Sequence, residues 1–248
     1  MRELEKHLRL WNILDARGLA QKRQVEWGIH MKNRALFICL TGIDGSGKTT
    51  QARSLVDWMK GHEITCRYVW NRFEPHMLKP FLLILNKIFM HKKAVSSCHT
   101  KKNMLIKHSS LAVIYKYFLL LDYFLQIYKR VTLPLLFGTS VICDRYIYDT
   151  IVDIALIFNY SYEQMNELLV NSFRFISCPD LVFLVDTPES IAYQRKDDIP
   201  SLDYLIQRRE VYQKLAKENK MIILDGSKSI EFLEDIIRKE VDSLMRHA

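Results

Sequence analysis

The stretch that most restricts the fold of this chain is TGIDGSGKTT, residues 41–50, which directly follows the apolar run ALFICL. It fits the pattern G-x-x-x-x-G-K-[ST] at every fixed position, from Gly42 to Thr49. Glycines in such a loop turn successive backbone N–H groups inward onto phosphate oxygens, and the helix that follows adds the positive end of its dipole. The motif therefore predicts a buried strand, a phosphate-binding loop and a helix, in that order.

The same loop predicts a nucleotide and Mg²⁺ as ligands. The Lys48 ammonium group can reach the β- and γ-phosphates, and the Thr49 hydroxyl can ligate Mg²⁺. GTPases, motor-like ATPases and small-molecule kinases all carry such a loop, so the rest of the chain must discriminate between them. The residues expected to contact the nucleotide here are Gly42, Gly45, Ser46, Gly47, Lys48, Thr49 and Thr50.

Strand-like and helical patterns alternate along the rest of the chain. From Met31 onwards, the apolar runs ALFICL, ITCRYVW, SVIC, LVFLV and MIIL are separated by longer helical patterns. This alternation predicts a parallel sheet covered by helices on both faces, in one domain of residues 31–248. Residues 1–30 are predicted to form a separate helical extension that catalysis does not need.

Composition indicates which kinds of partner and which cell compartment to expect for the chain. Its 248 residues carry a formal charge of +8, which suggests an anionic partner. No apolar run approaches the length of a membrane span, and the five cysteines include no CxxC pair, so we expect a reduced, cytoplasmic protein. The basic segment 91–108 has no interleaved aromatic residues, which disfavours nucleic acid. Two interpretations of this segment are kept: a solvated loop, or a rim that steers the anionic acceptor toward the site.

Two further strand ends carry polar residues. Asp144 ends the strand in SVICDRY, where ligands of open α/β sheets collect, and its carboxylate can hold hydrated Mg²⁺. Arg145 beside it can grip a phosphate, although an Asp144–Arg145 ion pair that caps the strand is the alternative. Asp186 and Thr187 precede Pro188, a pattern that favours a helix N-terminal cap over a functional role.

A lid is predicted after the fourth strand. Arg195 and Lys196 precede a short acidic turn that contains a proline, and cations on a mobile segment can stabilise the charge of a transferring phosphoryl group. Arg208 and Arg209 could assist from the next helix. A solvated connection between two helices is the alternative.

The segments GIDGSGKTTQ, GTSVICDRY, PDLVFLVDTPE and IILDGSKSIE together resemble the thymidylate kinase family of P-loop nucleoside monophosphate kinases, from about Arg34 to the C-terminus. The resemblance implies a three-layer α/β/α P-loop NTPase fold with a lid and a five-stranded parallel sheet in the order 2-3-1-4-5. It also implies transfer of the γ-phosphoryl group of ATP onto a nucleoside monophosphate, with dTMP the leading candidate.

Individual residues acquire roles from the same resemblance. It implies that Asp44 accepts a hydrogen bond from the 3′-hydroxyl of the acceptor sugar, and that Arg72 and Arg145 clamp the acceptor phosphate. Arg195 would act from the lid, and Gly226 belongs to a turn that packs on the adenine of ATP. The catalytic set expected on this basis is Lys48, Arg145 and Arg195.

The sequence departs from the family where the base would be read. Leu119, Asp122 and Tyr123 occupy slots that usually hold a phenylalanine, an asparagine or aspartate, and an arginine. The usual glutamine falls near Asp153 or Ile154. Phe118 or Tyr123 could replace the stacking ring. A kinase for a different small acceptor and a nucleotide-dependent switch without small-molecule transfer are therefore kept as alternatives. The oligomeric state stays open, a homodimer included.

Overall fold

The computed structural model describes residues 35–72 and 121–247. Residues 121–127 are helical and a π-helical turn follows at Tyr128–Thr132. The strands described are β1 (Phe37–Thr41), β2 (Cys66–Trp70), β3 (Ser140–Asp144), β4 (Leu181–Asp186) and β5 (Ile222–Asp225). The α-helices described are α1 (Lys48–Gly61), α2 (Leu133–Leu136), α3 (Ile147–Phe158), α4 (Tyr162–Ser172), α5 (Glu189–Gln194), α6 (Leu202–Glu218) and α7 (Ile230–His247).

The chain forms two compact units. One comprises Met1–Arg72 and Arg130–Ala248 and contains all five described strands. The other spans Phe73–Lys129. In the described part of this second unit, the Gln126 side-chain amide donates a hydrogen bond of 3.3 Å to the Asp122 carboxylate one helical turn earlier.

The five strands pair in parallel in the order β2-β3-β1-β4-β5, which confirms the predicted sheet. β1 lies in the middle, with Leu40 beside Asp144 of β3 and Thr41 beside Leu184 of β4. Because all five strands run in the same direction, their carboxyl ends share one edge of the sheet. The loop that follows β1 therefore starts at the centre of that edge.

Helices cover both faces of the sheet, as the alternating pattern predicts. β1 and β3 are buried along their whole length, since each has a helical layer on either side. On one face, side chains of α1 and α7 pack on the strands, including Leu55, Met59 and Ile237 over Ile38 and Leu40. This core fixes the direction of α1 and so the position of the loop at its N-terminus.

On the opposite face, the start of α3 is anchored by an aromatic pair. The rings of Phe37 in β1 and Tyr146, just before α3, meet edge to face with centroids 5.0 Å apart. The Tyr146 hydroxyl also donates a hydrogen bond of 2.8 Å to the Ser177 carbonyl oxygen. Since Tyr146 follows Arg145 directly, this anchor holds the turn between β3 and α3 against the sheet.

Several sequence-based predictions fall on other parts of the chain. The extension 1–30 and the basic segment 91–108 lie outside the described residues, and the expectations for them stay predictions. Within the described residues, none of the helices has the length and apolar character needed to cross a membrane.

Candidate active site

The loop between β1 and α1 has the glycine-dependent backbone that its sequence predicts. Gly45 has a φ angle of 79°, and a Cβ atom there would collide with the carbonyl oxygen of Ala192 in α5. Gly42 has a φ angle of 137°, and a Cβ atom there would lie 2.6 Å from the carbonyl oxygen of Val185 in β4. Both positions thus require glycine twice over, for the backbone angle and for the close approach of a neighbouring strand or helix.

Lys48 is curled into this loop. Its Nζ atom donates hydrogen bonds to the Ile43 carbonyl oxygen at 2.5 Å and to Ser46 Oγ at 3.1 Å, and only 4% of the residue is exposed. Burial, and after it the positive charge of Arg145, lowers the pKa of the Lys48 ammonium group to about 7. An anion placed in the loop would reverse this shift, so the site is built to receive negative charge.

Thr49 and Asp144 meet at the start of α1. Thr49 Oγ1 donates to Asp144 Oδ2 at 2.5 Å, and the Tyr68 hydroxyl of β2 donates to the same oxygen at 2.9 Å. The second carboxylate oxygen, Asp144 Oδ1, is buried and has no hydrogen-bond partner among residues 35–72 and 121–247. Burial, together with the Asp144 carboxylate, raises the pKa of Tyr68, which keeps this donor protonated.

Arg145 is held between two carboxylates. Its Nη2 atom lies 2.5 Å from Asp44 Oδ1 and its Nη1 atom lies 3.0 Å from Asp149 Oδ1. Arg145 therefore does not form the strand-capping pair with Asp144 that was the alternative interpretation. Its φ angle of 75° is in the left-handed region, which is strained for a residue with a side chain.

The charges around Asp44 keep it ionised. Burial acts to raise the pKa of the Asp44 carboxyl group, but the positive charges of Arg145, Lys48, Arg72 and Lys196 outweigh it and lower the pKa. The Lys196 Nζ atom lies 4.0 Å from Asp44 Oδ1. Cations from four segments therefore act on one carboxylate: Lys48 at the start of α1, Arg145 in the turn after β3, the exposed residue Arg72 after β2, and Lys196 of the predicted lid.

Arg195 ends α5 and Gly226 follows β5, and the structure brings the two together. Arg195 Nη1 donates a hydrogen bond of 3.4 Å to the Gly226 carbonyl oxygen, and Arg195 is exposed as a whole residue. The Gly226 N–H donates to the Asp186 carbonyl oxygen at 2.9 Å. A Cβ atom at Gly226 would collide with Thr187 Oγ1, so only glycine permits this turn to sit so close to β4.

The predicted capping role of Asp186 and Thr187 is wrong. The cap position of α5 is Pro188, without a side-chain cap hydrogen bond. The Asp186 carboxylate instead accepts hydrogen bonds from Arg209 Nε at 2.6 Å and Nη2 at 3.1 Å, while Thr187 Oγ1 donates to the Ser46 carbonyl oxygen at 3.1 Å. A charged partner on α6 and a backbone carbonyl oxygen in the loop bind these two side chains in place of the N-terminus of α5.

A row of side chains on α6 also lies at the site, and the sequence analysis singled out only Arg208 among them. Tyr204, Arg208 and Tyr212 are spaced four residues apart and so share one helical face. Each contacts a different carboxylate: the Tyr204 hydroxyl lies 3.4 Å from Asp44, Arg208 Nη2 lies 2.7 Å from Asp153, and the Tyr212 hydroxyl lies 2.8 Å from Asp149. The spacing was visible in the sequence, but its partners were not.

The residues proposed for the base of the acceptor are only partly described. Phe118 and Leu119 lie outside the described residues. Asp122 and Tyr123 are both buried, with 3% and 0% of the residue exposed. Asp153 is paired with Arg208, whose guanidinium carbon lies 3.5 Å from the centre of the Tyr204 ring.

Comparison with known proteins finds similar chains. The family model described as thymidylate kinase matches residues 93–237. A probable thymidylate kinase of Pyrococcus abyssi is 31% identical over 216 residues, which cover 82% of this chain and 95% of that protein. Probable thymidylate kinase 2 of Saccharolobus solfataricus is 28% identical over 229 residues, covering 83% and 95%, and the thymidylate kinase of Plasmodium falciparum is 24% identical over 220 residues, covering 86% and 92%. These similarities extend over almost the full length of each relative.

Proposed function

The chain belongs to the thymidylate kinase family, and on that basis we propose that it transfers the γ-phosphoryl group of ATP onto dTMP, forming dTDP and ADP. The observation that supports this proposal is the group of cations around Asp44 at the carboxyl edge of the sheet, where Lys48, Arg145 and Arg72 all act on its carboxylate. In the proposal, Lys48 and the glycine loop form one anion site and Arg145 with Arg72 forms a second. Asp44 lies between them and offers a hydrogen-bond acceptor for a sugar hydroxyl.

The proposed chemistry depends on position and charge. The phosphate of the acceptor is already an anion and can attack the γ-phosphorus without a general base. The loop and Lys48 hold the phosphates of ATP, while Arg145 and Arg72 hold the acceptor phosphate in line with them. Arg195 adds positive charge from the end of α5 as negative charge builds up on the transferring group.

We extend the proposal to Mg²⁺ at Thr49 and Asp144. Hydroxyl and carboxylate oxygens are ligands that Mg²⁺ prefers, and Asp144 Oδ1 is a buried acceptor that lacks a partner within the described residues. Bound there, the ion would supply charge neutralisation at the phosphates of ATP. Thr49 would hold it directly, and Asp144 would hold its waters.

The cysteines support the proposed cytoplasmic location. Cys39, Cys66, Cys143 and Cys178 are unpaired thiols in the described part of the chain. Unpaired cysteines are typical of proteins in reducing compartments.

The acceptor range is the first prediction. The slots that read thymine in the family are altered here, and the Asp153 carboxylate is already paired with Arg208. Without dedicated hydrogen bonds to the base, selection rests mainly on shape, so we expect the kcat/KM values for dTMP and dUMP to lie within about 10–200-fold of each other. ADP formation is measured with a panel of nucleoside monophosphates.

Lys48→Ala provides the control for that measurement. This variant loses the cation that balances the triphosphate, and we expect no turnover with any acceptor although the protein stays folded. If the wild-type protein binds ATP but no monophosphate stimulates ADP formation, the kinase proposal fails and the nucleotide-dependent switch is favoured. If dTMP is preferred over every other acceptor by about 10⁴-fold, the proposal stands but the predicted loss of base discrimination is wrong.

A further inference from the structure

Asp149 lies in the first turn of α3 and is buried with four hydrogen-bond donors around it. Thr41 Oγ1 of β1 and the backbone N–H of Tyr146 donate to Oδ2 at 2.9 and 3.0 Å. Arg145 Nη1 and the Tyr212 hydroxyl donate to Oδ1 at 3.0 and 2.8 Å. A buried carboxylate needs such partners, and here they come from the central strand, the turn after β3 and the helix α6.

This arrangement leaves Asp149 little freedom of movement. Both carboxylate oxygens are bonded, and each accepts from two groups that belong to different parts of the fold. Side chains locked by several such bonds keep one rotamer, which is how a rigid scaffold holds a functional group in place. Asp149 therefore presents one fixed oxygen, Oδ1, to the Arg145 guanidinium.

Arg145 needs such a partner because of where its backbone lies. Its φ angle of 75° is in the left-handed region, and its N–H donates to the Leu40 carbonyl oxygen at 3.0 Å, which holds the residue beside the central strand. A guanidinium group is rigid and planar, so a hydrogen bond that holds Nη1 on Asp149 also restricts the position and direction of Nη2. In this structure Nη2 points at Asp44 Oδ1, on the side of the site where the acceptor is proposed to bind.

We propose that Asp149 is a positioning residue for the acceptor phosphate, acting through Arg145. Asp149 holds Nη1 while Asp44 binds Nη2, and Asp149 thereby orients the remaining donors of the guanidinium toward the acceptor. Asp149 itself contacts neither substrate. This inference rests on the proposed function, because it needs an acceptor that carries a phosphate.

The test substitutes Asp149 by asparagine and measures steady-state kinetics with the monophosphate that the wild-type protein turns over best. Asp149→Asn keeps the shape of the side chain and removes the charge that pairs with Nη1. We expect the KM of the acceptor to rise by about tenfold or more, while kcat and the KM of ATP change by less than about threefold, since only acceptor binding depends on Arg145 orientation.

Tyr212→Phe is the matched control. It removes one hydrogen bond from the same oxygen, Asp149 Oδ1, but leaves the contact with Arg145 in place. We expect a loss of stability with the KM of the acceptor unchanged within about threefold. A purely structural role for Asp149 predicts instead that both variants affect stability and kinetics alike.

A double-substitution cycle separates action through Arg145 from a direct effect. In an Arg145→Ala background, Asp149→Asn should have no further effect on the KM of the acceptor, because the group it positions is gone. An undiminished effect in that background would overturn the inference. So would an unchanged KM of the acceptor in the single variant.

Asp149→Ser is measured in parallel, so that failure of the asparagine variant to fold does not decide the question. The serine side chain keeps an oxygen acceptor for the Tyr146 N–H and also lacks the charge, so it predicts the same rise in the KM of the acceptor. If the wild-type protein turns over no monophosphate, the proposed function fails and this inference fails with it. If the wild-type protein turns over a monophosphate but the Asp149 variants have an unchanged KM for it, this inference fails and the proposed function stands.

Discussion

At the scale of single residues, Arg145 combines an unfavourable backbone conformation with two buried ion pairs. Left-handed backbone at a residue with a Cβ atom costs roughly 1–2 kcal/mol. The structure tolerates this cost where the side chain is held by Asp44 and Asp149 on opposite sides. The strain is thus localised at the residue that is proposed to bind the acceptor phosphate.

Two substitutions of Arg145 separate its backbone strain from its charge. Arg145→Ala and Arg145→Gly both remove the guanidinium group, so both should raise the KM of the acceptor more than they lower kcat. Only glycine relieves the strain, and we expect the glycine variant to be more stable than the alanine variant by about 1 kcal/mol. Urea unfolding of the two variants checks this, and equal stabilities would show that the turn relaxes around alanine.

At the scale of elements, the segment between α5 and α6 is tied to the site from both ends. Arg195 reaches the turn after β5, and Tyr204 at the start of α6 reaches Asp44. Further along α6, Arg209 is bound by Asp186 and Glu189, which leaves it committed to structure rather than to the transferring phosphoryl group. Arg208 and Arg209 are each paired with a carboxylate, whereas Arg195 is held by a long hydrogen bond of 3.4 Å to the Gly226 carbonyl oxygen.

Arg195→Ala is therefore expected to act mainly on the chemical step. Removal of one group that stabilises transition-state charge lowers kcat by about 10²–10³-fold in other enzymes, and we expect an effect of that order with little change in either KM. Lys217→Ala is the control, because Lys217 is an exposed cation in the last turn of α6, next to the amino end of β5 and so at the opposite edge of the sheet. A fall in kcat shared by both variants would indicate a general charge effect instead.

The sequence predicted local features of the site well and contacts between helices poorly. The loop from Gly42 to Thr49 is a continuous motif whose ligands and backbone follow from its own residues. One of the four donors around Asp149, the Tyr212 hydroxyl, lies 63 residues away along the chain. Helical spacing shows which residues share a face, but not which faces meet, so this partnership and that of Asp153 with Arg208 emerge only from the fold. Asp186 was misread for the same reason, since its partner Arg209 is also distant in sequence.

At the scale of the whole molecule, titratable groups are buried in and beside the sheet, and their titration makes the free energy of unfolding depend on pH. Lys48 has a pKa of about 7 in the folded protein, against 10.5 for an ordinary lysine. Between these values the unfolded chain binds more protons than the folded protein, so the free energy of unfolding rises with pH. Above about pH 9 the buried thiols of Cys39 and Cys143, whose pKa values are raised by burial, act in the opposite direction.

We therefore expect the free energy of unfolding to rise from pH 7 to pH 9 in the absence of nucleotide. The slope of a single group is at most about 1.4 kcal/mol per pH unit. Urea unfolding at fixed pH values measures it, and Lys48→Met, which cannot titrate, should show a flatter dependence. A variant whose slope equals that of the wild-type protein would mean that Lys48 stays protonated in the free enzyme.

The collision that a Cβ atom at Gly45 would make with Ala192 has a bearing on how this fold can be re-engineered. The phosphate loop rests directly on the backbone of α5, the same helix whose end carries Arg195. The loop and α5 are consequently one transplantable module rather than two interchangeable parts. A chimera that takes the loop from another nucleotide enzyme must therefore take that short helix as well, because the loop would otherwise lose the backbone on which it packs.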